Sequence, residues 1–320
     1  MPPIFFPTRI LLIDDEPQVL RMTARLFGQL PEVHDVVSFA DAASALDYLV
    51  RTRPQRPVVD AFSAARVRDE FDDDGPTPVV RRQVEIRLSD VTGALDVPSR
   101  HELVSVIVCD YAMPGMDGLE FFGRLAEPSI RRVLLTALCD EHQAVQAFNR
   151  GAIHHFVHKA DPAGPRGLEA MLAGQARAFF SAHASHLRAA LALGPGGRLL
   201  DHPGLPGLLR QVMGEGGFRE YAFCAAPLGF RLGGGDRPAT LVVADSDSFA
   251  RAQRVVTEVE GPASLAAALA DRAVLPTGRD GLPIYEAGAD WPALAVEPKL
   301  AGGGEPLFWA LIDGAFVPRP

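Results

Sequence analysis

Cysteine is scarce in this chain: Cys109, Cys139 and Cys224 are all there is. An odd, scattered set builds no disulfide frame, so reduced thiols in a cytosol are expected. No apolar run approaches the ~20 residues that cross a bilayer. The amino-terminal MPPIFFPTR has no basic stretch followed by a long apolar one, so neither a membrane anchor nor a secretion signal is expected. A basic surplus is also missing. The formal net charge is -9, which speaks against sequence-independent binding to nucleic acid or to anionic lipid. Lysine is nearly absent, with only Lys159 and Lys299 among 31 basic residues. A residue type used so sparingly marks positions where arginine would not serve.

What is present reads as two domains, the default for 320 residues. Short apolar runs alternate with helical patterns over residues 9–50 and again from 103 onward. RILLI (9–13), 33–38, 103–109, 132–135 and 153–158 are the strands. Residues 17–27, 40–50, 117–125, 140–150 and a long 167–193 are the helices. That alternation implies an α/β domain with a doubly wound, five-stranded parallel sheet covered on both faces. It is interrupted by an insertion at about 51–102. The first half of the insertion, with four prolines and the acidic run Asp69 to Asp74, reads as loop, and 84–88 as an exposed strand. Gly194-Pro195-Gly196-Gly197 marks the boundary between a domain of residues 1–193 and a smaller α+β domain of residues 194–320. In the latter, 219–225, 228–232 and 239–244 predict a three-strand meander. Two helices, near 248–259 and 263–273, and a last strand at 307–312 follow.

In parallel sheets of this kind, sites form beyond the carboxyl ends of the strands. Asp14 and Asp15 follow the first strand, Asp110 ends the third, Thr136 the fourth, and Lys159 follows the fifth. Three convergent carboxylates repel unless a cation joins them, and hard oxygen ligands suit Mg²⁺. A carboxylate beside Mg²⁺ and a lysine is equipped to accept a phosphoryl group, since both cations neutralise its equatorial oxygens. Asp110, in VIVCDYAMPGMDG, is the residue placed to become an acyl phosphate.

These motifs (Asp14-Asp15, DYAMPGMDG, LLTA at 134–137 and FVHK at 156–159) resemble the receiver domain of bacterial two-component response regulators. The resemblance implies a flavodoxin-like fold and phosphorylation of Asp110 by a sensor histidine kinase or a phosphotransfer protein. It also implies Mg²⁺ held by Asp15, Asp110 and the backbone carbonyl of Ala112, with Asp14 acting through water. Thr136 and Phe156 correspond to a switch pair, and Lys159 to the phosphate-binding lysine. The sequence departs from the family at Ala160, where a proline usually follows the lysine; a retained cis bond there would cost about 3 kcal/mol. A subset of regulators resembles this chain in its insertion and in the region 220–274.

Other readings weigh less. A phosphatase with an aspartate nucleophile needs a second acid two residues on, where Ala112 stands. A DNA-binding output needs a basic face, yet residues 195–320 hold 11 basic against 15 acidic residues, a net of -4. DNA or a nucleotide-like ligand is therefore the minority reading beside a protein or small-ligand partner, and a homodimer is a further expectation. His154, His155 and His158 alternate across a strand and share no ion. His183 and His186 lack the flanking acid of a phosphodonor histidine. Gly233-Gly234-Gly235-Asp236 reads as a hairpin turn. The expected location is the cytoplasm.

Overall fold

The computed structural model describes residues 1–52, 65–72, 79–125, 127, 129–136, 141–159, 164–193, 195–302 and 305–314. The chain divides into two units. One comprises Phe5–Val59 and Val97–Ala184; the other comprises Met1–Ile4, Asp60–Asp96 and Ser185–Pro320.

After a short strand β1 (Ile4–Phe5), the first unit runs β2 (Thr8–Ile13), α1 (Pro17–Phe27), β3 (Val33–Phe39) and α2 (Ala42–Arg51). The inserted hairpin of β4 (Ala65–Asp72) and β5 (Val79–Ile86) and the short helix α3 (Leu88–Gly93) follow and group with the other unit. The first unit then resumes with β6 (Val104–Asp110), α4 (Gly118–Arg124), β7 (Arg131–Thr136), α5 (Glu141–Asn149), β8 (His155–His158) and α6 (Gly164–His183). Its five strands are parallel in the order β3-β2-β6-β7-β8, the doubly wound arrangement expected.

Both faces of the sheet are covered, which is why its strands are nearly unbroken apolar runs. Alternation along them still sorts side chains by face. Leu11, Ile13, Ile107 and Cys109 join Phe121, Phe122 and Ala144 in one layer. Ile10, Leu12, Val106 and Val108 join Phe27, Leu172 and Ala176 in the other. Two buried hydroxyls, Thr8 and Ser105, hydrogen-bond each other at 2.6 Å, so neither is left unsatisfied. Helix starts follow local chemistry. Pro17 occupies the first turn of α1, and the Asp41 and Asp117 carboxylates accept from the N–H groups of Ser44 and Glu120.

The second unit continues with α7 (Ser185–Leu191), α8 (Pro195–Asp201), α9 (Leu205–Gly216), β9 (Glu220–Ala225), β10 (Leu228–Gly233), β11 (Ala239–Ala244), α10 (Ser246–Glu258), α11 (Ala263–Ala270), α12 (Trp291–Leu294), β12 (Lys299–Ala301) and β13 (Leu307–Asp313). Its sheet has the order β1-β9-β10-β11-β13-β12, with β9, β10 and β11 forming the expected antiparallel meander. Val242, Ala244 and Ala310 face Phe249, Val256, Leu265 and Leu269 of α10 and α11 in a separate core.

Three expectations are corrected. Residues 65–72 are a strand, not loop. The hairpin register sets Arg66 opposite Glu85, Asp69 opposite Arg82 and Glu70 opposite Arg81. The helix expected over 167–193 is broken at Ala184 into α6 and α7. The glycines at 196 and 197 lie within helix α8 and are not a flexible break. A Cβ on Gly197 would stand 2.2 Å from the Ala192 Cα and one on Gly196 2.7 Å from the Phe223 ring, so they permit close packing. Ala160 lies outside the described residues, and with it the geometry of the bond after Lys159.

Candidate functional site

The order of strands in the parallel sheet reverses between β2 and β6, and the carboxyl ends of these two neighbours carry the acids. Asp14 is fully buried; its N–H donates to the Phe39 carbonyl at 3.1 Å, and its Oδ1 accepts from the Glu16 N–H at 2.9 Å. Asp110, the last residue of β6, is 4% exposed. Asp15 is exposed. One carboxylate oxygen from each of the three lies within 4.8 Å of the others.

Lys159 enters from the end of β8, its N–H donating to the Thr136 carbonyl at 2.9 Å. Its Nζ stands 3.0 Å from Asp14 Oδ2, 3.1 Å from Asp110 Oδ2 and 3.6 Å from Glu16 Oε1. Asp14 Oδ2 is buried and receives no well-aligned hydrogen bond, so the ammonium is its main compensation. Burial pushes the Asp110 pKa up; Lys159 opposes this and the Asp14 charge reinforces it, leaving a net rise. Burial also works against the Lys159 ammonium. Hydrogen bonds and charge from Asp14 and Asp110 outweigh it, and the lysine pKa is raised. The donor set of three carboxylates around a buried, poorly hydrogen-bonded oxygen fits a small hard cation such as Mg²⁺.

The loop after Asp110 is pinned on both sides. The Tyr111 N–H donates to Leu135 O at 2.8 Å, and Tyr111 O accepts from the Gly118 N–H at 3.0 Å. Gly118 is required there, because a Cβ would lie 2.5 Å from the Asp110 carbonyl oxygen. Ala112 is exposed in this loop, two residues beyond Asp110. Thr136 is buried at the end of β7. Phe156, half-buried on β8, packs against the core and meets Phe148 of α5 edge-on with ring centroids 6.3 Å apart.

Sequence reasoning missed two members of this neighbourhood. Glu16 shares Lys159, and its place directly after the acid pair is a signal that could have found it. Gln143 of α5 accepts a hydrogen bond from the Tyr111 hydroxyl, a partnership with no local signature. His154 Nδ1 accepts from the Arg132 N–H at 3.0 Å, and burial, with Arg131 and Arg132 nearby, lowers its pKa to about 4.

Comparison with known proteins places this geometry. The family model described as response regulator receiver domain matches residues 82–171, from the inserted hairpin through β8 into α6. The chain carries a response regulator receiver domain. The match begins beyond Asp14 and Asp15, which the insertion separates from the rest of the receiver. The Legionella pneumophila response regulator LqsR is similar over the whole chain, with a TM-score of 0.73 and 21% identity, covering 100% of this chain and 91% of LqsR. At that identity the likeness is one of fold. A receiver domain protein from Clostridium thermocellum aligns at 14% identity over 53% of this chain and 95% of its own, with a TM-score of 0.34. A CheY-like receiver domain protein from Methanospirillum hungatei JF-1 aligns at 15% identity over 54% and 96%, with a TM-score of 0.33. No curated protein matches the chain. No helix among the described residues is long and apolar enough to cross a membrane.

Proposed function

We propose that this chain is a phosphoacceptor switch of a two-component system. Asp110 takes a phosphoryl group from a sensor histidine kinase or phosphotransfer protein in the cytoplasm. The observation that carries the reading is Lys159 Nζ, held between Asp110 and Asp14 at about 3 Å from each. A carboxylate that is buried, accessible from one edge and already beside a fixed cation is poised as a nucleophile toward phosphorus. An Asp110 oxygen attacks in line, the P–N bond of a phosphohistidine breaks, and the imidazole leaves with the bonding pair. Lys159 then pairs with a phosphoryl oxygen.

Asp15, Asp110 and the Ala112 carbonyl would hold Mg²⁺, with Asp14 assisting through water. When bound, the ion neutralises charge on the transferring phosphoryl group. Thr136 and Phe156 act as the switch pair, and α5 with β8 forms the altered surface. Val145 and Phe148, exposed on α5, make a second copy of the chain the expected partner of that face. The second unit serves as the output and binds a protein or small ligand; its acidic balance supports this over DNA. The chain is not a classical enzyme on this reading, because the group it modifies is its own.

Intact mass after incubation with acetyl phosphate and Mg²⁺ tests the assignment. Wild type should gain one phosphoryl group and Asp110→Asn none. Labelling of Asp110→Asn at the wild-type rate refutes it.

A further inference from the structure

The segment between β5 and β6 holds a helix that its length cannot sustain. Helix α3 has six residues, LSDVTG, well below the ~12–15 needed for an isolated helix to persist in water. The side chain of its N-cap residue, Arg87, forms no capping hydrogen bond. Its order therefore comes from what it packs on and from groups that satisfy its end. Val91, Ala94 and Leu95 are buried, and both α3 and the 3₁₀ turn after it, Ala94–Asp96, pack against β9. Arg231 of β10 supplies the polar part. Its Nη1 donates to the Thr92 carbonyl at 3.2 Å, which also accepts from the Ala94 N–H at the helix end, and to Asp96 Oδ2 at 2.7 Å. Its Nη2 donates to Asp96 Oδ1, completing a bidentate fork 135 residues apart in sequence. The Arg231 side chain is 19% exposed and the Asp96 side chain 61%, so the guanidinium is anchored against the sheet while the carboxylate faces water. On the hairpin itself, α7 packs against both β4 and β5.

We propose that the hairpin of β4 and β5, together with α3 and the turn to Asp96, is an intrachain docking element of the antiparallel-sheet unit, seated on α7 and β9 and clasped by Arg231.

Hydrogen exchange on the full chain tests this. Arg231→Ala should speed amide exchange across 88–96 and 220–225 about tenfold, while 131–136 and 155–158 keep wild-type rates. Asp96→Asn retains the shape and one accepting oxygen and should fall between, which keeps the test readable if Arg231→Ala folds poorly. Unchanged exchange across 88–96 in both variants overturns the proposal. So does a rise across 131–136 as large as that across 88–96, since the segment would then be coupled to the receiver.

Discussion

Two glycines in one short helix should respond oppositely to the same substitution. Gly118 and Gly123 both lie in α4. A Cβ at Gly118 would sit 2.5 Å from the Asp110 carbonyl oxygen and 2.8 Å from Leu134 Cδ1, whereas one at Gly123 meets nothing within 4 Å. Leu134 can rotate its terminal methyl away. The Asp110 oxygen belongs to the backbone of a buried strand and must shift, or α4 must retreat, by about half an ångström or more. Overpacking of that kind costs about 1–3 kcal/mol. At Gly123 the new methyl has room, and replacing glycine by alanine inside a helix gains about 0.5–1 kcal/mol. The assay is hydrogen exchange across Val104–Asp110 at low urea, which reports the receiver core. The two tryptophans, Trp291 and Trp309, both lie in the other unit and would not report it. Gly118→Ala should speed exchange roughly tenfold to a hundredfold or more and slow acetyl phosphate labelling, because the displaced residue is the proposed phosphoacceptor. Gly123→Ala should leave exchange equal or slower and labelling unchanged. Equal behaviour of the two variants refutes the account of why DYAMPGMDG ends in glycine.

Other outcomes follow from the same geometry. Asp15→Ala should weaken Mg²⁺ binding, measured by calorimetry, more than Asp14→Ala does; the reverse order would show that the ligand register is shifted. Lys159→Ala leaves Asp14 and Asp110 facing each other without their ammonium, so thermal stability should fall at low Mg²⁺ and recover with added Mg²⁺ more than in wild type. A variant that melts like wild type with no added Mg²⁺ contradicts this. His154 is held near a pKa of about 4 when folded, against 6.5 ordinarily. The unfolded chain therefore binds its proton first, and the stability it contributes, complete above pH 6.5, is lost as pH falls toward 4. Urea unfolding followed by circular dichroism should show a shallower loss over that window in His154→Asn; identical slopes would remove His154 from the explanation. Deleting Pro54–Pro78 removes β4 and should destabilise the antiparallel-sheet unit, read by tryptophan fluorescence, while Asp110 still labels; loss of labelling with intact fluorescence would reverse that reading.

The sequence by itself determined the parallel sheet and its reactive edge. Continuous apolar strands, period-3.6 helices and strand-end acids are local patterns, and the rules for parallel α/β sheets turn them into a site at the strand ends. The convergence of Asp14, Asp15, Asp110 and Lys159 was legible for that reason, with the scarcity of lysine pointing to Lys159. Local patterning also located β9, β10, β11 and β13, whose turns carry glycine and proline. Tertiary structure decided what no local pattern encodes. The stretch 65–72 looks like loop until its antiparallel pairing with β5 shows it to be a strand. Gly196 and Gly197 look like a linker until Phe223 and Ala192 are seen to occupy the space a Cβ would need. Asp96 and Arg231 have nothing in their own neighbourhoods to announce each other. Their pairing exists because burial of Val91 and Leu95 brings α3 onto β9, and the Asp96 carboxylate that follows then comes within reach of the Arg231 guanidinium on the neighbouring strand.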